Sequence, residues 1–352
     1  MKGWRFVRFS VLLAIGLGLV LSVASQPMAK ELPKLLSCTT YSVGSTGYAI
    51  SMGLMEAVEQ NEGIKVKVVP AGTDKAKILP LKEGMMQLSL FTGAGQYYAI
   101  MGLGAFSAAD WGPQPLRLVY ACPQGAIAGM MVRADSGIKN LSDLKGKRVT
   151  FIPASPACQS LHEGYLAFGG LTKNDVKAVN VSSWGAAWSA VIDGSADTAH
   201  CLINSSKAVE LAASPHGIHW LPAPPEDKEG WAKLNKYCPY LRPYKATSGA
   251  GISKDDPAQV ASYYYGLVCY PNLDEEVVYK ITKGIWNGYD IYSNKHPTLK
   301  LWTREGALDT ESFLSPYHPG AVKFFKEAGV WTPKHEEIQA RLLKEEAERM
   351  KK

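Results

Sequence analysis

The feature that most constrains the fold is an alternation of short β-rich runs with helical stretches, repeated in two successive sets. In the first set, strands are predicted at 35–41, 64–68 and 87–92, with helices at 50–58 and 74–83. In the second set, strands are predicted at 148–152, 176–181 and 196–202, with helices at 158–168 and 185–192. Such alternation is typical of α/β folds. It predicts two lobes, each a mostly parallel sheet flanked by helices, with a ligand cleft between them at the carboxyl ends of the strands.

The rest of the chain has a weaker pattern. Residues 216–257 are rich in proline, glycine and aromatic residues and are predicted to be irregular. A strand is predicted at 262–270, a long helix at 274–292 and a charged helical tail at 334–352.

The first 29 residues have the pattern of a secretory signal peptide. Lys2, Arg5 and Arg8 precede an uncharged run at 11–24, and small residues follow it up to Ala29. The run is shorter than the ~18 apolar residues of a membrane span, although an uncleaved anchor is the alternative. Cleavage removes three of the 38 basic residues and none of the 32 acidic ones, so the formal net charge falls from +6 to +3. A nucleic-acid or membrane-surface partner is therefore not indicated, and the mature chain is expected in the periplasm.

Six cysteines, an even number, permit disulfides in an exported chain but do not fix a pairing. They are Cys38, Cys122, Cys158, Cys201, Cys238 and Cys269. The sequence has no CxxC motif and no Cys/His cluster with zinc spacing, so neither a metal nor another cofactor is predicted.

Three loops that follow predicted strands and precede predicted helices are the candidate ligand-binding segments. Backbone N–H groups and helix dipoles at such positions suit carboxylates or phosphates. The predicted ligand-binding residues are Ser42, Gly44, Ser45, Thr46 and Tyr48 in the first loop, Thr92, Gly93 and Gln96 in the second, and Ser155, Cys158 and Gln159 in the third. A plain helix-capping turn is the alternative for the first loop.

Two further pairs of residues carry possible chemistry. Trp184 follows a predicted strand and is assigned either to the cleft wall or to the core, whereas Trp188 is assigned to the core. Cys158 and His162 are four residues apart on a predicted helix, the spacing of a cysteine nucleophile and its base. No third orienting group is evident, so we predict a protein that is not an enzyme.

Three longer runs resemble the TAXI family of solute receptors for TRAP transporters. They are Arg133-Ala-Asp-Ser-Gly-Ile-Lys-Asn-Leu-Ser-Asp-Leu-Lys-Gly-Lys-Arg-Val149, Asp193-Gly-Ser-Ala-Asp197 and Pro316-Tyr-His-Pro-Gly-Ala-Val-Lys-Phe-Phe-Lys-Glu-Ala-Gly329. The resemblance implies a type II periplasmic binding protein fold whose lobes close on a small solute and deliver it to TRAP permease subunits in the membrane. Lobe I is then expected at 30–130 plus 248–352 and lobe II at 131–247, in a monomeric receptor.

The third loop departs from the family pattern. Family members usually offer two hydroxyls and free amides there for a glutamate-like anion, whereas this chain reads Ile152-Pro-Ala-Ser-Pro-Ala-Cys158. Pro156 lacks an amide donor, and the thiol of Cys158 is a weak one. The expected solute is therefore a small organic acid that is more apolar or aromatic than glutamate. A binding protein of an ABC importer or sensor, and an exported enzyme using Cys158 and His162, are the alternatives.

Overall fold

The computed structural model describes residues 35–310 and 313–351, so the predicted signal peptide lies outside the described residues. Within those ranges there are ten strands: β1 (Leu35–Thr40), β2 (Lys65–Pro70), β3 (Leu88–Thr92), β4 (Arg117–Arg133), β5 (Arg148–Phe151), β6 (Lys177–Asn180), β7 (Ala199–Leu202), β8 (Ile218–Trp220), β9 (Arg242–Ala246) and β10 (Ala258–Cys269).

Helices alternate with these strands. The α-helices of the described residues are α1 (Thr46–Glu62), α2 (Asp74–Lys82), α3 (Gly93–Met101), α4 (Pro156–Phe168), α5 (Trp184–Ile192), α6 (Ser206–Ala213), α7 (Lys228–Tyr237), α8 (Glu275–Asn287), α9 (Tyr289–Tyr292), α10 (Arg304–Ala307), α11 (Pro319–Glu327) and α12 (Pro333–Arg349). The predicted α/β class is confirmed.

Most strands belong to one mixed sheet with the order β2-β1-β3-β10-β4-β7, in which β8 also pairs with β4 and β9 with β10. The predicted parallel pairing occurs between β1 and β2, between β1 and β3, and between β5 and β6, which form a separate small sheet. The main sheet is mixed because β10 runs antiparallel to β3, β4 and β9.

The long strands β4 and β10 span the gap between two groups of strands. Thr92, at the end of β3, lies opposite Tyr265 of β10. Ala261 of β10 lies opposite Ala128 of β4, which in turn lies opposite Leu202 at the end of β7. The carboxyl ends of β3 and β7 therefore point toward each other across four residues of β10, a distance of about 13 Å at the usual strand rise.

The prediction that 216–257 is irregular is wrong, because the segment contains β8, α7 and β9. Trp231 and Leu234 form the buried face of α7, which packs on α4. Prolines lie on both sides of α7 in the sequence and make its short amphipathic pattern difficult to recognise. Pro243 is tolerated inside β9 because that strand lies at the edge and pairs only with β10.

The predicted helix at 274–292 is divided at Gly288, where a side chain would overlap Ala57 of α1.

The run from His318 to Gly329, which is part of the third run that resembles the TAXI family, has a structural role here. His318 caps α11 by accepting from the N–H of Gly320 at 3.2 Å. Glu327 accepts from the hydroxyl of Tyr279 at 2.7 Å, which ties α11 to α8. A Cβ on Gly320 would overlap the carbonyl oxygen of Glu275 and lie 2.8 Å from the backbone nitrogen of Tyr279. The glycine therefore lets α11 and α8 approach closely.

We expect Gly320→Ala to lower the free energy of unfolding by about 1–3 kcal/mol, because the added methyl group forces two packed helices apart. Gly185→Ala in α5 is the matched control, since its Cβ would meet nothing nearer than Ser42 Cβ at 3.6 Å. Urea denaturation of both variants measures the difference. Equal stability of the two variants would contradict this account of α11 packing.

Candidate functional site

A small cavity lies where the carboxyl ends of β1, β3 and β7 approach each other. Its volume is about 20 Å³, and its walls come from both groups of strands and from the middle of β10. The lining residues are Tyr41, Ser45, Thr92, Leu161, Trp184, Trp188, His200, Leu202, Tyr263 and Tyr265. A cavity of this size has room for about one water molecule. A larger solute therefore requires the walls to move apart.

Hydroxyl groups of the predicted loops cap the helices that follow them. Ser45 accepts from the N–H of Tyr48 at 3.1 Å, and Thr92 accepts from the N–H of Gly95 at 3.4 Å. The hydroxyl of Tyr41 also forms a 3.0 Å hydrogen bond with Thr92 Oγ1 and accepts from the Thr92 N–H. The capping turn that we considered for the first loop is therefore present, and the same residues line the cavity.

Two cavity-lining side chains carry buried polar atoms without a hydrogen-bond partner among the described residues. They are Trp184 Nε1 and His200 Nε2. Trp188, by contrast, donates its Nε1 proton to the carbonyl oxygen of His200 at 2.9 Å. Unpaired buried polar groups are unfavourable and rare, so they mark positions where a ligand can supply the missing partner.

Two buried histidines lie next to each other at the cavity, where His200 belongs to the lining and His162 does not. Burial lowers the pKa of His162 to about 4 and, with a further contribution from His162, the pKa of His200 to about 3. Their rings are 6.5 Å apart. Both are therefore neutral at pH 7.

Cys158 and His162 are close together, but their arrangement does not suit nucleophilic catalysis. His162 Nε2 accepts from the backbone N–H of His200 at 3.2 Å. The neutral ring therefore carries its proton on Nδ1, which donates to the carbonyl oxygen of Cys158 at 2.7 Å. Nδ1 is also the nitrogen that lies 3.4 Å from Cys158 Sγ, so no base faces the thiol. Burial raises the pKa of Cys158, whereas a cysteine nucleophile needs a lowered pKa.

A carboxylate of the protein itself occupies the N-terminus of α4, where the sequence predicted a ligand. Asp74 Oδ2 accepts from the hydroxyl of Ser155 and from the N–H of Ala157 at 3.3 Å. Asp74 and Ser155 are both completely buried. The third predicted loop therefore binds an internal anion from α2.

The same carboxylate has a buried cation beside it. Lys77 Nζ lies 3.4 Å from Asp74 Oδ1, and neither side chain is exposed. The ammonium group also lies over the ring of Tyr41, 3.2 Å from its centre. Burial lowers the pKa of Lys77 to about 8, a shift that Asp74 opposes. The pair sits behind the Tyr41 wall of the cavity and leaves no net charge there.

The other predicted residues do not line the cavity. Gly44 O accepts from the N–H of Ser206 at 3.0 Å, and Thr46 Oγ1 is buried without a partner among the described residues. Gln96 donates to Ser315 Oγ and accepts from the hydroxyl of Tyr264. The remaining predicted residues outside the lining are Ser42, Tyr48, Gly93 and Gln159.

The family of the chain follows from its sequence. A family model described as "NMT1-like family" matches residues 38–329, which is most of the chain. The chain belongs to the NMT1-like family. The match includes β1 to β10 apart from the first residues of β1, and it ends at Gly329, after α11.

Several solved structures of binding proteins are similar to this member of the family. The aliphatic sulphonate binding protein SsuA from Escherichia coli has 16% identity and a TM-score of 0.45, over 85% of this chain and 89% of that one. PhnD1 from Prochlorococcus marinus, in complex with methylphosphonate, has 13% identity and a TM-score of 0.48, over 85% and 100%. An ancestral arginine-binding protein bound to arginine has 14% identity and a TM-score of 0.44, over 77% and 99%. These values are too low to indicate what this chain binds.

Sequence reasoning missed seven of the ten residues that line the cavity, all except Ser45, Thr92 and Trp184. His200, Tyr263 and Tyr265 come from strands whose pairing joins distant parts of the chain. One signal was available, because His200 is a polar residue inside an otherwise apolar strand. Trp188 was assigned to the core, and it is both buried and part of the lining.

Three further observations concern the cysteines, metal binding and membrane spans of the described residues. All six cysteines are buried and unpaired. Within residues 35–310 and 313–351, no group of three or more His, Cys, Asp or Glu side chains is arranged to hold a metal ion. Among the same residues, none of the helices is both long and apolar enough to cross a bilayer.

We expect the stability of the protein to fall as the pH drops from 6.5 toward 4. In this window the unfolded chain binds protons at His162 and His200 that the folded chain cannot bind, because their folded pKa values are lowered. His200 alone should account for about 2 kcal/mol of lost stability between pH 7 and pH 5. Urea denaturation at the two pH values measures the loss.

His200→Phe should reduce this acid-induced loss, whereas the control His219→Gln, in a half-buried position outside the cluster, should leave it unchanged. The same pH dependence in His200→Phe and in the wild-type protein would show that His200 titrates normally in the folded state.

Proposed function

We propose that this chain is an exported solute-binding receptor, which captures a small organic solute in the cavity and presents it to a membrane permease. The observation that carries the proposal is the opposition of the carboxyl ends of β3 and β7 across β10. In open α/β sheets, ligands bind beyond the carboxyl ends of the strands. Here two such edges face one cavity, so a solute would touch both at once.

The proposed lobes are those expected from the sequence, 30–130 plus 248–352 and 131–247. Tyr41, Ser45 and Thr92 then belong to lobe I, and the two tryptophans and His200 to lobe II. The lobes also touch at the rim, where Ser206 of α6 donates to Gly44 O, and at the Asp74–Ser155 contact. The stretches of β4 and β10 that lie between the two groups of strands are the proposed hinge.

Solute capture would then work by a shift between open and closed arrangements. A solute that contacts both walls stabilises the closed arrangement by its differential affinity, and the permease recognises that form. The resemblance to TAXI receptors makes a TRAP-type permease the proposed partner and the periplasm the proposed location. The proton positions around Cys158 and His162 favour binding over catalysis.

The direct test is to purify the mature chain, denature it and identify released small molecules by mass spectrometry. We expect about one equivalent of a single organic solute. Trp184→Ala should weaken rebinding of that solute at least about tenfold, because it removes a wall of the cavity. Trp331→Ala, a half-buried tryptophan packed on Phe325 and outside the cavity lining, is the control. Recovery of a nucleotide or metal, or equal affinity in both variants, would contradict the proposal.

A further inference from the structure

The proposed receptor leaves the chemistry of its solute open, and the cavity wall restricts that chemistry. None of the ten lining residues is an Asp, Glu, Lys or Arg. His200 is the one lining residue that titrates near neutrality when exposed, and its burial keeps it uncharged. A charged solute would therefore lose its hydration without gaining a counter-charge from the wall, which costs several kcal/mol.

The charged groups behind the Tyr41 ring do not supply a counter-charge either. Lys77 lies behind the ring of Tyr41 and is paired with Asp74 at 3.4 Å. The N-terminus of α4, the expected anion site, is already bound by Asp74. The α4 N-terminus is therefore occupied internally, and Lys77 has an internal counter-charge, although its Nζ has no hydrogen-bond partner among the described residues.

Aromatic rings make up most of the wall. Trp184 and Trp188 have ring centres 6.3 Å apart, and Trp184 lies 6.1 Å from His200. His200 in turn lies 6.2 Å from Tyr263. At these spacings the rings contact one another, so a solute would reach their faces and edges only after the walls separate. Exposed aromatic faces and edges then suit a planar ring.

The polar atoms of the wall specify what that ring must carry. Trp184 Nε1 is a donor without an acceptor among the described residues, and His200 Nε2 lacks a partner as well. An indole N–H can only donate, so it requires an acceptor on the solute. A neutral imidazole nitrogen pairs with a donor or with an acceptor, according to its tautomer.

Resting on the proposed receptor function, we infer that the solute is an uncharged aromatic molecule with a carbonyl-type acceptor that takes the Trp184 Nε1 proton. This inference replaces the organic acid expected from the sequence with a neutral compound. Trp184 and His200 are its specificity-determining residues.

Benzamide and benzoate are matched probes for this inference, since they share a ring and a carbonyl oxygen and differ in charge. Calorimetry on the solute-free wild-type protein should give benzamide an affinity at least about tenfold higher than benzoate. Trp184→Phe keeps the ring but removes the N–H, so benzamide binding should weaken about 3- to 10-fold.

Trp302→Phe is the matched control. Trp302 is fully buried and its Nε1 also lacks a partner among the described residues, but it stacks on Tyr120 and lies outside the cavity lining. This variant should bind benzamide like the wild-type protein.

Several outcomes would overturn the inference. If benzoate binds as tightly as benzamide, the inference fails and the receptor proposal stands. The same conclusion follows if the protein binds neither probe but still rebinds its recovered solute. Equal weakening by Trp184→Phe and Trp302→Phe would remove Trp184 from its assigned role. Failure to bind either probe or any recovered solute would instead reject the receptor proposal.

Discussion

The antiparallel pairing of β4 with β10 is the constraint on which the rest of the structure depends. These strands are 17 and 12 residues long, more than twice the length of most others in the sheet. One end of the pair carries β3 and, through it, β1 and β2, while the other end carries β7, β8 and β9. Both groups of strands pair with the same two strands, so the carboxyl ends of β3 and β7 face each other. The residues that follow these ends therefore lie close together.

Much of the fold could be predicted from local sequence, but β4 was not predicted, although it is the longest strand. The strands and helices of both alternating sets agree with the structure to within a few residues, because period-two and helical patterns are local. The segments at β8, α7 and β9 were missed because each is short and held by contacts with distant residues, such as the pairing of β9 with β10. The first two predicted loops contribute Ser45 and Thr92 to the cavity lining, whereas the third contributes none, and sequence could not show that Asp74 from α2 would fill the N-terminus of α4.

That internal carboxylate changes what the site can recognise. Asp74, Ser155 and Lys77 form a buried polar cluster in which the charges compensate each other. A helix N-terminus that would attract an external anion is thus used to join α2 to α4. What remains for a solute is an aromatic cavity with an unpaired indole N–H and an unpaired imidazole nitrogen. Recognition would rest on stacking and neutral hydrogen bonds, while the opening of the two walls controls access.

The central claim is that a solute reaches this cavity only when the walls separate, and a disulfide across its rim tests it most directly. A Cβ at Gly185 would lie 3.6 Å from Ser42 Cβ, within the range of about 3.5–4.5 Å that disulfides require. The native cysteines are buried and unpaired, so the new pair in Ser42→Cys/Gly185→Cys should oxidise without interference. We predict that the oxidised variant does not bind the solute recovered from the wild-type protein and that reduction restores binding. Undiminished binding by the oxidised variant would contradict the account.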